Sequence, residues 1–159
     1  MSLARDLGAA LKRAGFHMAC GGRTGVMDAA TEGFASAEGP GLSLGILMAT
    51  DGSDANDWLD IVLPTGMGFA RNALVAQAGQ VVIGIDGGAG TLSELAMAWQ
   101  YGRPVGVLVP AGGWPARLGG APLDDKRPDS IEALESVEAC VSWIRQRCDE
   151  APRTKATRT

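Results

Sequence analysis

Two glycine-rich turns, each directly after a short apolar segment, constrain the fold of this chain most strongly. Cys20-Gly21-Gly22-Arg23-Thr24-Gly25 follows the apolar residues 16–20, and Asp86-Gly87-Gly88-Ala89-Gly90-Thr91 follows residues 81–85. Residues 81–85 are all apolar, which is typical of a strand buried on both faces, as in a parallel sheet. An apolar strand that runs through a glycine turn into a helix indicates an α/β fold.

The hydrophobic pattern alternates between helix and strand along the whole chain. It predicts helices over residues 2–14, 24–37 and 68–78, a helix that follows the turn of residues 87–90 and runs through Gln100, and a last helix capped by Asp129 or Ser130. It predicts strands over residues 16–20, 42–48, 60–63, 81–85 and 105–109. Five strands with helices between them imply one parallel α/β sheet. No linker interrupts residues 1–150, so we expect one domain, followed by a disordered basic tail over residues 151–159.

The glycine turns fall where a parallel sheet binds its ligands, at the carboxyl ends of the strands. Glycine allows the backbone to approach a ligand closely, and the free N–H groups of the following helix face an anion. Two such turns at equivalent strand ends predict a phosphate site. Neither turn contains the G-K-[ST] of a Walker loop, and neither is a G-x-G-x-x-G dinucleotide fingerprint.

Charge and composition exclude several classes of function. The last nine residues hold three basic side chains and no acid, which leaves 11 basic against 18 acidic side chains in the rest. An acidic body argues against nucleic-acid binding. No apolar stretch approaches the roughly 18 residues of a membrane helix, and the start does not resemble a signal peptide. Three cysteines without C-x-x-C spacing and one histidine predict no metal site and a reduced, cytoplasmic location.

Three motifs in order resemble the Lonely Guy (LOG) superfamily, long mislabelled as lysine decarboxylases. Gly21-Gly22-Arg23-Thr24-Gly25-Val26-Met27 matches its G-G-x-x-G-[LV]-M turn, and the segment from Gly87 to Glu94 matches its P-G-G-x-G-T-x-x-E motif. Residues 64–72, Pro-Thr-Gly-Met-Gly-Phe-Ala-Arg-Asn, are closer to the DprA-related Rossmann-like branch, which includes molybdenum cofactor carrier proteins. The resemblance covers residues 3–109.

The resemblance implies a Rossmann-like parallel sheet with helices on both faces, and a reaction. Superfamily hydrolases cleave the N-glycosidic bond of a nucleoside 5′-monophosphate to free base and ribose 5-phosphate, and need no cofactor. Their essential arginine and glutamate match Arg71 and Glu94. The ligand-binding residues that the motifs imply are Gly21, Gly22, Arg23, Thr24, Gly25, Thr65, Gly66, Met67, Asn72, Gly87, Gly88, Ala89, Gly90 and Thr91. The alternative is a non-catalytic carrier of the molybdenum cofactor, a phosphorylated pterin.

The same resemblance implies a homodimer or higher homo-oligomer, since Trp99 and Tyr101 close a helix that family members often use to dimerise. Two features depart from the family pattern. Asp86 replaces the proline before the second glycine turn. The strand and glycine turn that normally precede the helix of residues 2–14 are also absent here, so about five strands are recognisable. Either the chain is shortened, or the sheet lacks a central strand and part of the ligand site.

Several candidate residues also have plain structural interpretations. Thr91 and Glu94 have the spacing of a capping box, in which both satisfy free amides at a helix start. Arg71 could pair with a surface carboxylate, and Arg23 and Thr24 could shape their turn rather than contact phosphate. His17 and Cys20 are more typical of structural positions than of catalytic ones. The acidic residues of 51–57 lack calcium-loop spacing, which favours a solvated turn.

Overall fold

A computed structural model describes residues 1–150, and the predicted tail, residues 151–159, lies outside this part of the chain. Residues 1–150 form six strands, six α-helices and two short 3-10 helices. In chain order the elements are α1 (Ser2–Arg13), β1 (Met18–Cys20), α2 (Val26–Ala35), β2 (Ser43–Leu47), β3 (Ile61–Pro64), a 3-10 turn (Gly68–Arg71), α3 (Asn72–Ala78), β4 (Val82–Gly84), α4 (Ala89–Gln100), β5 (Val105–Leu108), a second 3-10 turn (Val109–Ala111), α5 (Gly113–Leu118), β6 (Glu132–Leu134) and α6 (Val137–Glu150).

All strand pairs are parallel, which confirms the predicted α/β class. The strands form two groups of three, in the orders β1-β2-β3 and β4-β5-β6. In the first group Met18 lies opposite Ser43, and in the second Val82 lies opposite Val105. Parallel neighbours need crossover connections, and the helices between the strands supply them.

The central strand β5 shows that helices cover both faces of its sheet. Val105 and Val107 pack into a core with Leu95 and Trp99 of α4. Leu108, which points the other way, packs into a second core formed mainly by α1 and α6. All four residues of β5 are buried, as alternation along a strand with two covered faces requires.

The helices α1 and α2 lie in close contact because glycines stand at their crossing. A Cβ atom added to Gly8 would come within 2.0 Å of the carbonyl oxygen of Ala30. One added to Gly33 would come within 1.9 Å of the carbonyl oxygen of Arg5. Backbone therefore packs on backbone at this crossing, and neither position tolerates a side chain without moving the helices apart.

The carboxyl-terminal third differs from the sequence prediction. The last helix begins at Val137 rather than at Asp129 or Ser130, and residues Glu132–Leu134 form a sixth strand beside β5. The prediction was wrong because Ile131 and Leu134 are three residues apart, a spacing that a helix and a loop followed by a short strand can share. The short helix α5 was also missed, since its six residues contain two signals for a turn, Gly113 and Pro115.

The strands β1 and β4 each pair on one side only. β1 pairs with β2, β4 pairs with β5, and within residues 1–150 no strand pairs with the opposite edge of either. The three residues of β1 are only partly buried, whereas those of β5 are fully buried. Within residues 1–150, β1 and β4 therefore each have one edge without a strand partner.

Among residues 1–150, none of the helices combines the length and the apolar character needed to cross a membrane.

Candidate functional site

One cavity of about 960 Å³ lies between the two strand groups and reaches both glycine turns. The candidate site residues that line it are Gly21, Arg23, Thr24, Arg71, Asn72, Gly87, Gly88, Gly90, Thr91 and Glu94. The two turns therefore face one space, as expected for turns at the carboxyl ends of parallel strands.

Arg71 is the most buried charged residue of this site, with 4% of its surface exposed. It ends the 3-10 turn after β3, and its Nη1 donates to Glu94 Oε1 at 2.7 Å and to Asn72 Oδ1 at 2.6 Å. Its Nε is buried and has no hydrogen-bond partner among residues 1–150. A buried guanidinium that is only partly satisfied keeps donors for a further acceptor.

Asn72 connects Arg71 to the helix that follows the second glycine turn. Its Oδ1 accepts from Arg71, and its Nδ2 donates to Ser93 Oγ at 2.8 Å. Ser93 Oγ in turn donates to the carbonyl oxygen of Gly90 at 2.7 Å. The amide of Asn72 is therefore engaged within the protein, where it orients Arg71 against α4.

Glu94 is a partner of Arg71 and not a helix cap. Helix α4 begins at Ala89, its N-cap is Gly88, and no side chain bonds to the cap. The capping-box interpretation of Thr91 and Glu94 is therefore wrong. Burial raises the pKa of the Glu94 carboxyl, and the charge and hydrogen bond of Arg71 oppose this effect. A carboxylate with a raised pKa beside an arginine, in a cavity, is the kind of group that takes part in proton transfer.

Gly21 brings the first turn against Arg71. A Cβ atom at Gly21 would lie 2.2 Å from Arg71 Nη2 and 2.8 Å from Met27 Sδ. Only glycine lets the guanidinium pack on the backbone here. The glycine at this position therefore has a physical reason in this chain: the first turn packs against Arg71, and Arg71 pairs with Glu94 of the helix after the second turn.

The second turn carries the features of an anion site. The N–H groups at the start of α4 have no partners within the helix, and the helix dipole favours negative charge at that end. Cβ atoms at Gly88 and Gly90 would meet nothing within 4 Å, whereas one at Gly87 would lie 2.2 Å from Thr91 Oγ1. The backbone at Gly88 and Gly90 is thus open to a ligand.

Asp86 takes a strained conformation at the start of this turn. Its φ of 46° makes it the one non-glycine residue with positive φ among residues 1–150. Its Oδ1 accepts from the N–H of Gly87 at 2.6 Å and packs closely against Gly113. The carboxylate therefore occupies one amide of the turn, and the amides that remain for an anion are those farther along, at the start of α4.

The first turn is held by a loop whose role the sequence did not indicate. Asn56 donates its N–H to the carbonyl oxygen of Gly22 at 2.8 Å and its Nδ2 to that of Arg23 at 3.0 Å. In the same loop Asp54 lies 3.5 Å from Arg23 Nε. The acidic segment thus folds onto the turn instead of standing free in solvent, and it leaves Arg23 partly exposed at the cavity.

Six of the motif-implied ligand residues do not line the cavity: Gly22, Gly25, Thr65, Gly66, Met67 and Ala89. Thr65 Oγ1 donates to the carbonyl oxygen of Leu47 at 2.7 Å and accepts from the N–H of Met67 at 3.2 Å. These contacts shape the chain ahead of Arg71. In this structure the Thr65-Gly66-Met67 segment therefore positions Arg71 without lining the cavity itself.

Phe69 is a cavity residue that the sequence reasoning missed. It lies two residues before Arg71, lines the cavity, and is 74% exposed. An aromatic ring that is this exposed and lines a cavity offers a face for a flat heterocycle. The sequence did offer one signal for this role of Phe69, a large apolar residue within a glycine-rich loop.

His17 and Trp99 make structural contacts. His17 Nδ1 accepts from the N–H of Leu42 at 3.0 Å. Trp99 is 1% exposed, its Nε1 donates to Asp124 Oδ1 at 2.9 Å, and the guanidinium of Arg127 covers its ring. Trp99 is therefore part of the core of this chain, while Tyr101 is exposed. Burial raises the pKa of the Cys20 thiol, which makes it a poor nucleophile.

The fold and the site together define a Rossmann-like α/β protein with a cavity that reaches two glycine-rich turns, each of which follows a strand. Residues 1–142 match the SLOG cluster4 family, and the chain belongs to this family. An uncharacterized protein of Archaeoglobus fulgidus is 36% identical over 108 residues, which are 68% of this chain and 70% of that protein.

Three solved structures are similar over nearly the whole chain. The X-ray structure of TM1055 has a TM-score of 0.83 and 32% identity, over 91% of this chain and 86% of that one. The molybdenum cofactor binding protein from the phototrophic bacterium Rippkaea orientalis has a TM-score of 0.76 and 32% identity, over 91% and 85%. The molybdenum cofactor carrier protein from Chlamydomonas reinhardtii has a TM-score of 0.77 and 29% identity, over 92% and 87%. These similarities confirm the predicted superfamily and fold.

Proposed function

We propose that the cavity binds a phosphorylated ligand of nucleotide size, with its phosphate at the start of α4. The observation that carries this proposal is the position of Arg71 and Glu94 directly beside the open turn of Gly88 and Gly90. Free backbone amides and a helix dipole bind phosphate without any side chain. The cavity volume of about 960 Å³ also suits a ligand of this size.

The remainder of the ligand would lie toward Phe69. Its exposed ring lines the same cavity as Arg71, and a nucleobase or a pterin presents a flat π-face that stacks on such a ring. Base stacking on an aromatic side chain contributes about 1–3 kcal/mol. The combination of an anion site and an aromatic platform supports a phosphorylated heterocycle over a simple sugar phosphate.

The reaction that Arg71 and Glu94 would support is hydrolysis of the N-glycosidic bond of a nucleoside 5′-monophosphate. The oxygen of water would add to the anomeric carbon, the bond to the base nitrogen would break, and the base would leave with the proton that the water gives up through Glu94. Glu94 would stabilise the oxocarbenium-like transition state and accept the proton of the water, a role that its raised pKa favours. Arg71 would hold Glu94 in place and contact the ribose or the phosphate.

Chromatography of free base tests the reaction directly. The protein is incubated with AMP, GMP, IMP, CMP, UMP and an N6-substituted AMP, and Glu94→Gln serves as the control because it keeps the shape and one hydrogen bond to Arg71. We expect base release by the parent and loss of that release in the variant. Equal release by both proteins would remove Glu94 from the mechanism.

A second candidate function is non-catalytic binding of the molybdenum cofactor. The proteins from Rippkaea orientalis and Chlamydomonas reinhardtii, which are similar over most of this chain, are a binding protein and a carrier protein of that cofactor. Asp86, in place of the proline of the hydrolases, also favours this alternative. If a folded sample releases no base from any nucleotide but retains the cofactor through gel filtration, carriage replaces hydrolysis as the function of the site.

A further inference from the structure

Helix α5 is fixed directly against the second glycine turn. Trp114 donates its backbone N–H to the carbonyl oxygen of Gly87 at 3.1 Å. A Cβ atom added to Gly113 would lie 2.7 Å from the backbone nitrogen of Gly87 and 2.6 Å from Asp86 Oδ1, so backbone packs on backbone here. Pro115 is buried and anchors the helix on its inner side. The Trp114 side chain therefore starts within one hydrogen bond of the turn that follows β4.

The second turn has an outer side that the cavity does not include. Gly88 and Gly90 line the cavity, whereas Ala89 between them is exposed and does not line it. Trp114 and Arg117 of α5 are also exposed, and they too lie outside the cavity lining. A phosphate at the start of α4 could therefore carry one group into the cavity and a second group outward, toward α5.

Trp114 and Arg117 form a stacked pair on this outer surface. The guanidinium carbon of Arg117 lies 4.9 Å from the centroid of the Trp114 ring. Trp114 is 41% exposed, and Arg117 forms no ion pair with a carboxylate of residues 1–150. An arginine without an acidic partner binds phosphate, and an exposed aromatic ring stacks on flat heterocycles. The pair thus offers the two contacts by which a nucleotide is recognised.

The charges around the turn favour a second phosphate on the outer side. Asp86 is the one acid of the turn formed by residues 86–91, and its Oδ1 accepts from the N–H of Gly87 at 2.6 Å. This hydrogen bond offsets part of the negative charge next to the turn. Arg117 is the only charged residue of α5, so the outer side contributes a positive charge to a ligand at this position.

We propose that Trp114 and Arg117 form a second subsite, which binds the far half of a diphosphate-linked ligand such as a dinucleotide. The first phosphate and its heterocycle would occupy the start of α4 and the cavity, as in the proposed function, on which this inference rests. The second phosphate would contact the guanidinium of Arg117, and the second heterocycle would stack on the indole of Trp114. The subsite extends the ligand class from a nucleoside monophosphate to a molecule with a nucleotide-like group at each end.

Calorimetric titration with AMP, ADP and di(adenosine-5′) diphosphate tests this inference. AMP fills the first position only, ADP adds the second phosphate, and the dinucleotide adds the second heterocycle. We expect the parent to bind the dinucleotide about 10-fold or more tightly than AMP, with ADP between them. Trp114→Ala should remove the preference for the dinucleotide over ADP, and Trp114→Phe, which keeps an aromatic face, should retain most of it. Arg117→Ala should remove the preference for ADP over AMP.

Tyr101→Ala is the matched control for the loss of an exposed aromatic side chain. Tyr101 is 42% exposed, and it follows α4 at the end opposite the second turn. We expect this variant to keep the parent's ratio of affinities for the dinucleotide and AMP. A parent that binds AMP but binds the dinucleotide no more tightly, or a Trp114→Ala protein with the parent's ratio, would overturn the inference and leave the proposed function standing. A parent that binds none of the three ligands would overturn both.

Discussion

Replacing Gly90 with alanine separates the stability of the second glycine turn from its binding role. Gly90 lies in the first turn of α4, and a Cβ atom there would meet nothing within 4 Å. Glycine in a helix is less stable than alanine by about 0.5–1 kcal/mol. We therefore expect Gly90→Ala to raise the free energy of unfolding by this amount, and the melting temperature by about 1–4 °C.

Ligand affinity should change in the opposite direction. If the phosphate lies against the open backbone of Gly90, the new methyl group occupies its place. Loss of one hydrogen bond to a charged group costs about 1.5–3 kcal/mol, or roughly 10- to 100-fold in affinity. Thermal unfolding and calorimetric titration with AMP measure the two effects on the same samples.

Ser142→Ala is the matched control for this experiment. Ser142 is an exposed residue of α6, distant from the turn in the sequence and outside the cavity. Alanine there raises helix stability by up to about 0.5 kcal/mol, and we expect no change in affinity. A Gly90→Ala protein that is more stable and binds AMP as tightly as the parent would refute the placement of the phosphate at this turn.

Three further substitutions examine the contacts around the arginine. Gly21→Ala places a methyl group 2.2 Å from Arg71 Nη2, and we expect urea denaturation to show a loss of about 1–3 kcal/mol from overpacking; an unchanged midpoint would contradict the contact. Asn72→Ala removes an acceptor from Arg71 and a donor to Ser93, at a cost of about 1–3 kcal/mol in the same assay, whereas a neutral effect would show that the asparagine does not orient the arginine. Because burial raises the pKa of Glu94, the folded protein holds that proton more tightly than the unfolded chain; its contribution to stability is present at low pH and is lost as the pH rises through the raised pKa. Glu94→Gln should therefore gain stability relative to the parent as the pH rises from acidic to neutral. If the free energy of unfolding depends on pH in the same way in the two proteins, the pKa of Glu94 is not raised.

The elements predicted from the sequence are those whose pattern reflects burial directly. Residues 81–85 and 105–109 are uninterrupted apolar runs, and both contain strands, β4 and β5. The strand β6 was missed because only one of its three residues is buried, so its sequence has no hydrophobic pattern of a strand. Its pairing with β5 is what makes it a strand. Short edge strands depend on their neighbours in this way.

The sequence indicated some of the residues that line the cavity, but none of the contacts between them. Arg71 and Glu94 were singled out by resemblance, and the structure adds that they share one hydrogen bond. Nothing in the sequence indicated that Asn56 holds the first turn, because its partners are backbone carbonyls 33 and 34 residues away. The sequence alone does not show that Phe69 is exposed, because its exposure depends on the tertiary structure.

The catalytic roles of Arg71 and Glu94, the homo-oligomer and the cytoplasmic location remain predictions. The burial of Trp99 within its own chain means that an interface at the end of α4 would have to use the exposed Tyr101 instead.

Backbone amide NMR during titration with AMP and with adenosine tests the central claim most directly, that a phosphorylated ligand binds between the two glycine turns. We predict that AMP shifts the amide resonances of Gly88 to Thr91 and of Gly21, and that adenosine, which lacks the phosphate, leaves the α4 amides unchanged at the same concentration. Saturation with AMP that moves neither turn, or identical shifts with adenosine, would contradict the account.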